Sequence, residues 1–144
     1  MKKVFSSNEK LINKWLKQDQ DFGRNKSISL YFEKKTIYSY GSHYPLAAII
    51  DNKVLINSCS YSVTTGKQKN DVLWQLVGKG FTIFQVPIVK NIMTKEDHHK
   101  NNAFYCQRID EVLLKQKRAV KRNYSRILED LMFKHKQYKQ IFNV

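Results

Sequence analysis

Between Ser27 and Asn57 the chain breaks into short apolar runs separated by turn residues, and no other stretch constrains the fold as much. "SISLYFE" alternates, which places Ile28, Leu30 and Phe32 on one face of a strand, and Lys34-Lys35 reads as a turn. "TIYSY", "YPLAAII" and "VLIN" follow as a second, third and fourth strand. Asp51-Asn52-Lys53 joins the last two as a hairpin turn, because Asp and Asn tolerate left-handed backbone. Strands this short and this close in sequence predict an antiparallel meander, since parallel neighbours need longer crossovers.

Helical spacing flanks the block on both sides. Leu11, Ile12, Trp15 and Leu16 recur at helical intervals after Ser6 and Ser7, either of which can cap a helix over residues 7–18. "DQDFGRNKS" reads as its breaker. After the strands, "TTGKQKNDVLWQLVGKG" predicts a central helix capped by Thr64 or Thr65, with a stripe of Val72, Leu73, Leu76 and Val77, ended by Gly78 or Gly80. "FTIFQV" is a fifth strand, closed by Pro87. From Thr94 onward the chain reads as helical, opening on the capping-box variant Thr94-Lys95-Glu96-Asp97.

After a break at "HKNN", one long helix is expected from Ala103 to Ile141. Tyr105, Ile109, Leu113, Val120, Tyr124, Ile127, Leu128 and Leu131 fall on one side of it. The expected fold is therefore α+β: a small antiparallel sheet of four to five strands with an N-terminal helix, a central helix and a long C-terminal helix. The 144 residues read as a single domain, an α+β body over 1–90 carrying a helical arm over 94–144.

The arm carries the most suggestive chemistry. Residues 115–126 read "KQKRAVKRNYSR", with six cations, Lys115, Lys117, Arg118, Lys121, Arg122 and Arg126, and no acid. On a continuous helix Lys115, Arg118, Arg122 and Arg126 span an arc of roughly 80° opposite the apolar stripe. The whole chain has 21 lysines, 5 arginines and a net charge of +14. Abundant Lys, Asn and Ile match the codon bias of an AT-rich genome, so lysine alone says little. Arginine says more, because its planar fork suits bidentate contact with carboxylate or phosphate. A cationic protein of this kind seeks nucleic acid or an acidic protein face.

Other constellations are weaker. His43, between Ser42 and Tyr44, could serve as a general base, but only Glu33 and Asp51 lie near it in sequence, and it reads as part of a sheet corner around Gly41. His98-His99 with Cys106 or Asp97 matches no zinc spacing, and "HHKNN" is similar to a nuclease motif in nothing but two residue types. Thr64-Thr65-Gly66-Lys67 lacks the glycine spacing of a phosphate loop and reads as a helix start. Tyr31, Phe32, Tyr38, Tyr40 and Tyr44 could stack bases but read first as half-buried sheet residues. Cys59 and Cys106 are far apart and read as reduced thiols. The two lysines of "MKKVFSSNEK" precede no apolar run, and "YPLAAII" is far short of the about 20 residues of a membrane span. A soluble cytoplasmic protein is expected, with no catalytic residue, cofactor or metal.

"YSYGSHYPLA", "VLIN" and "YSVTT" together resemble a small domain that recurs in bacteriophage and mobile-element proteins, over residues 28–77. Relatives of that kind carry a histidine near the position of Gln68, so the amide here departs from the pattern. A small, basic chain built on such a domain also resembles anti-CRISPR proteins. That resemblance implies a non-enzymatic inhibitor of a type II RNA-guided CRISPR effector nuclease, with a basic nucleic-acid-binding module as the alternative.

Overall fold

The structure, a computed structural model, describes residues 2–40, 44–59, 62–119 and 121–144. It is α+β and divides into two compact units, residues 1–85 with 89–92 and residues 86–88 with 93–144.

The first unit begins with β1 (Val4–Phe5) and α1 (Asn8–Lys17), continues through β2 (Phe22–Asn25), β3 (Leu30–Glu33), β4 (Thr36–Ser39), β5 (Pro45–Ile50) and β6 (Lys53–Asn57), and then enters α2 (Val63–Leu76). β7 (Thr82–Val86) completes a sheet that runs in sequence order from β1 to β7. β1 pairs parallel with β2, and the ladders from β2 to β6 are antiparallel.

This corrects the expected sheet of four to five strands with three helices: the described residues form a seven-stranded mixed sheet with four helices. The two missed strands have physical explanations. β1 has two residues, too few for alternation to show. β2 is "FGRN", written in turn residues, and it holds as a strand because of its neighbours. A Cβ on Gly23 would lie 2.6 Å from the Phe32 ring and 3.0 Å from that of Phe5. Only glycine lets those rings close over the strand.

Ile28 is also displaced from its expected place on a strand face. It takes φ 58 and is 51% exposed, in a loop held by Asn25, whose Oδ1 accepts from Leu30 N. The tight turns at Lys34 and Asp51 both adopt left-handed backbone, φ 54 in each case.

The core of this unit gathers Phe5, Leu11, Ile12, Trp15, Leu30, Phe32, Ile37, Leu46, Val54, Ile56, Val72 and Leu76. α1 starts at the expected place, with Ser7 Oγ accepting from Lys10 N. Its Trp15 is fully buried and donates its indole N–H to Lys35 O at 3.0 Å. α2 starts earlier than expected, on Ser62 rather than Thr64 or Thr65, and Gly78 follows it at φ 74. Val77 lies past its end and is exposed.

The second unit holds α3 (Lys95–Arg118) and α4 (Ser125–Phe142), which pack on each other as an antiparallel hairpin. The single long helix and the "HKNN" break are both corrected. α3 opens on the capping box, Thr94 Oγ1 accepting from Asp97 N and Asp97 Oδ2 from Thr94 N. It then runs unbroken through "HKNN", because Asn101 points inward and is fully paired. The helix stops at Arg118 instead. Beyond it, Gln116 Oε1 accepts from Tyr124 N, and Asn123 Oδ1 accepts from Ser125 N to start α4. Asn123, two residues before Ser125, supports the start from outside the N-cap, its side-chain oxygen standing in for a missing helical acceptor.

Candidate functional site: a basic hairpin tip and a polar knot

The break in the arm rearranges its cations. Lys115, Lys117 and Arg118 occupy the last turn of α3, Lys121 and Arg122 the connecting loop, and Arg126 the first turn of α4. The expected stripe along one helix is thus replaced by a cluster around one end of the hairpin. All six are exposed, and among the described residues none forms an ion pair. Arg122 lies 5.0 Å above the Tyr124 ring, a cation–π contact that holds its guanidinium against the loop.

Helix electrostatics separates these cations into two groups. The C-terminus of a helix carries partial negative charge, so Lys115, Lys117 and Arg118 stabilise α3 where they stand. Arg126 is at the wrong end for that purpose: the first turn of α4 contains no acid and no side-chain cap on its N-cap residue Tyr124. The positive end of α4 and its arginine add rather than cancel. Helix stability explains half of the cluster and does not account for Lys121, Arg122 or Arg126.

The second assembly lies in the first unit, where Ser39, Tyr44, Asn57 and the start of α2 converge. Ser39 Oγ bonds Gln68 Oε1 and lies 3.3 Å from Thr65 Oγ1, which also meets Ser62 Oγ at 3.1 Å. Gln68 Nε2 donates to Ser29 O, Asn57 Nδ2 to Pro45 O, and the Tyr44 hydroxyl to Cys59 O. Thr65, Gln68 and Lys69 are buried on the same side of α2 as Val72 and Leu76, so the first half of the helix's inward stripe is polar. This explains why no apolar pattern marked it. Lys69 Nζ reaches Cys59 O at 3.4 Å, and burial lowers its pKa.

The knot fastens α2 to the sheet. An amide at 68 cannot accept a proton from a neighbouring hydroxyl, so Gln68 offers Ser39 and Thr65 no base. Thr64, Thr65, Gly66 and Lys67 lie inside the helix and form no loop. His43, with Gly41 and Ser42, lies outside the described residues.

The hairpin interior holds a network that the sequence reading missed. Tyr138 is buried and accepts from Asn101 Nδ2 at 2.9 Å, and its hydroxyl also shares a hydrogen bond with His98 Nδ1, 2.7 Å away. His135 Nε2 meets Asn102 Oδ1 at 2.6 Å and Cys106 Sγ at 3.8 Å, with its ring stacked on Tyr105. Burial pushes the Tyr138 hydroxyl up to about 12, raises Tyr105 and lowers both histidines. His98 and Cys106 thus serve separate contacts, and the described residues contain no group of three or more His, Cys, Asp or Glu able to hold a metal. The available signal was spacing: 98, 101, 105 and 112 repeat on one face, in mostly polar letters.

Tyr31 and Tyr38 are cross-strand partners with rings stacked at 5.1 Å, half-buried as expected, while Phe32 is fully buried and Tyr40 is exposed at φ 64. Both cysteines are free and exposed, Cys59 in the first unit and Cys106 in the second. Among the described residues no helix is long and apolar enough to cross a membrane.

Compared with models of known families, with curated proteins and with solved structures, the chain matches none.

Proposed function

We propose that this chain is a non-enzymatic binding protein that seats the tip of its α3–α4 hairpin on a negatively charged macromolecular surface. The partner we infer is a type II RNA-guided CRISPR effector nuclease, whose target cleavage it blocks in the cytoplasm of a bacterial host. One observation carries the binding role: six exposed cations converge on one loop without a carboxylate partner among the described residues, and one of them opposes the dipole of its own helix. The choice of partner rests on the resemblance of the chain to anti-CRISPR proteins.

Charge sets the route. An inhibitor that imitates DNA must present carboxylates to the arginines that read the PAM. At +14 this chain is repelled by them. An acidic face of the nuclease domain, whose repositioning licenses cutting, is the complementary target, and holding it would stop cleavage while leaving target binding intact.

The experiment mixes the protein with purified effector and guide RNA and measures target binding and cleavage separately. Lost cleavage with retained binding supports the proposal. Loss of DNA binding overturns the route, and failure to form a complex overturns the partner.

The same tip favours a second reading, a nucleic-acid-binding module. Three arginines around one loop, one of them stacked on a tyrosine, suit phosphates as well as carboxylates. Backbone-driven binding weakens with a log–log salt slope of roughly 0.9 per phosphate contacted. Gel shifts at two salt concentrations distinguish it from protein binding.

A further inference from the structure

One flank of the hairpin has an apolar groove away from the tip. Ile109 of α3 and Met132 and Phe133 of α4 line an open depression of about 500 Å³, bordered by His135, Lys136 and Lys139. Met132 is 53% and Phe133 63% exposed, and Leu113, one turn beyond Ile109 on the same helix, is 47% exposed. Two helices leave such a groove wherever apolar residues continue past the seam that they bury against each other. Here that seam is filled by Tyr105, Val112 and Tyr138, so Met132 and Phe133 are left exposed outside it.

We propose that this groove binds an acidic amphipathic helix of a protein partner. The shape is that of a slot between two helices, which a third helix fills with a ridge of side chains. From residue 128 to residue 139, α4 offers about 18 Å of surface, matched to three turns with anchors at i, i+4 and i+7. The charge around the slot selects the occupant. Lys136 and Lys139 border it, in a chain of net charge +14. Asp110 is rotated about 100° from Ile109, away from the slot; Glu129 shares the face of Phe133 and Lys136 one turn earlier, so one acid stands at the end of the slot against the two lysines, and the border remains net cationic. A second copy of this chain would bring the same lysines face to face, an unfavourable juxtaposition. A membrane would need an apolar ridge that projects, and this surface is concave. The groove is a surface distinct from the hairpin tip, and its test does not depend on the nuclease.

The probe is a displayed library of helical peptides of about 18 residues, with leucine fixed at the i, i+4, i+7 and i+11 positions and all other positions randomised. It is selected on the full chain. The expected result is enrichment of peptides with net negative charge, whose affinity falls at least about tenfold on Phe133→Glu. Lys136→Glu with Lys139→Glu gives a second variant that spares the apolar floor. It should weaken acidic peptides at least about threefold and remove their salt dependence. Charge reversal at Arg122 and Arg126 should leave binding unchanged. Circular dichroism checks that each variant is folded. The proposal is overturned if no peptide is enriched, if the enriched peptides are neutral or basic, or if they bind Phe133→Glu equally well. It is also overturned if sedimentation shows self-association of the chain that Phe133→Glu abolishes.

Discussion

Asn101 pairs with Ile88 as one strand residue pairs with another: its Oδ1 accepts from Ile88 N at 2.9 Å and its Nδ2 donates to Ile88 O at 3.0 Å. The same Nδ2 supplies the Tyr138 hydroxyl. One fully buried amide thus replaces a missing strand ladder at residue 88 and ties both helices of the hairpin to it.

Asn101→Ala should therefore be among the more damaging substitutions in the chain. It leaves the Ile88 amide and the Tyr138 hydroxyl without that partner in a dry site. The expected loss is about 2–3 kcal/mol, read from denaturant midpoints. A change below half a kcal/mol would mean that water or a neighbour takes over these bonds.

Stability should fall with acid in the range set by His98 and His135. Burial lowers both folded pKa values from 6.5, with Asp97 partly opposing it at His98 and Lys139 adding to it at His135. A lowered histidine binds fewer protons folded than unfolded. Its neutral form is without penalty above the unfolded value, and stability is lost as pH drops below about 6.5. Melting curves at pH 7.5, 6.5 and 5.5 should show the decline, and it should flatten in His98→Gln/His135→Gln.

Charge reversal at the tip should abolish binding without unfolding the chain. In Lys115→Glu/Arg118→Glu/Arg122→Glu/Arg126→Glu, the first two changes oppose the α3 dipole and the last favours that of α4, each by about 0.3–1 kcal/mol. The sum is a net cost of about one such term, so the melting temperature should fall only slightly while partner binding is lost. A quadruple variant that binds like the parent would move the interface elsewhere.

Gly23→Ala tests the strand that sequence could not show. The new methyl meets the Phe32 ring at 2.6 Å, and Phe32 is fully buried with no room to yield. Destabilisation of about 1–3 kcal/mol is expected by thermal unfolding.

Much of the first unit was legible because its elements state their own period. α1 has Leu11, Ile12 and Trp15 behind a serine cap, and β5 and β6 are apolar runs around a left-handed Asp51. β2 was illegible because its reason for being extended is Phe32, nine residues away. The arm misled for the opposite reason. Lys, Arg and Ala are good helix formers, so propensity favoured helix through Ala119, and what breaks it is a pair of side-chain bonds from Gln116 and Asn123. The six cations were visible as letters, but their arrangement around a loop depended on that break. The knot around Ser39, Thr65 and Gln68 was partly visible: its letters read as a strand region and a helix start, but nothing in them shows that the two bond to each other.

The placement of the two free thiols has a practical consequence. Cys59 and Cys106 are exposed and belong to different units, so the unmodified chain already carries one attachment point for a dye on each. Energy transfer between such labels would register any reorientation of the hairpin when a ligand is captured, with no engineered residue to perturb it.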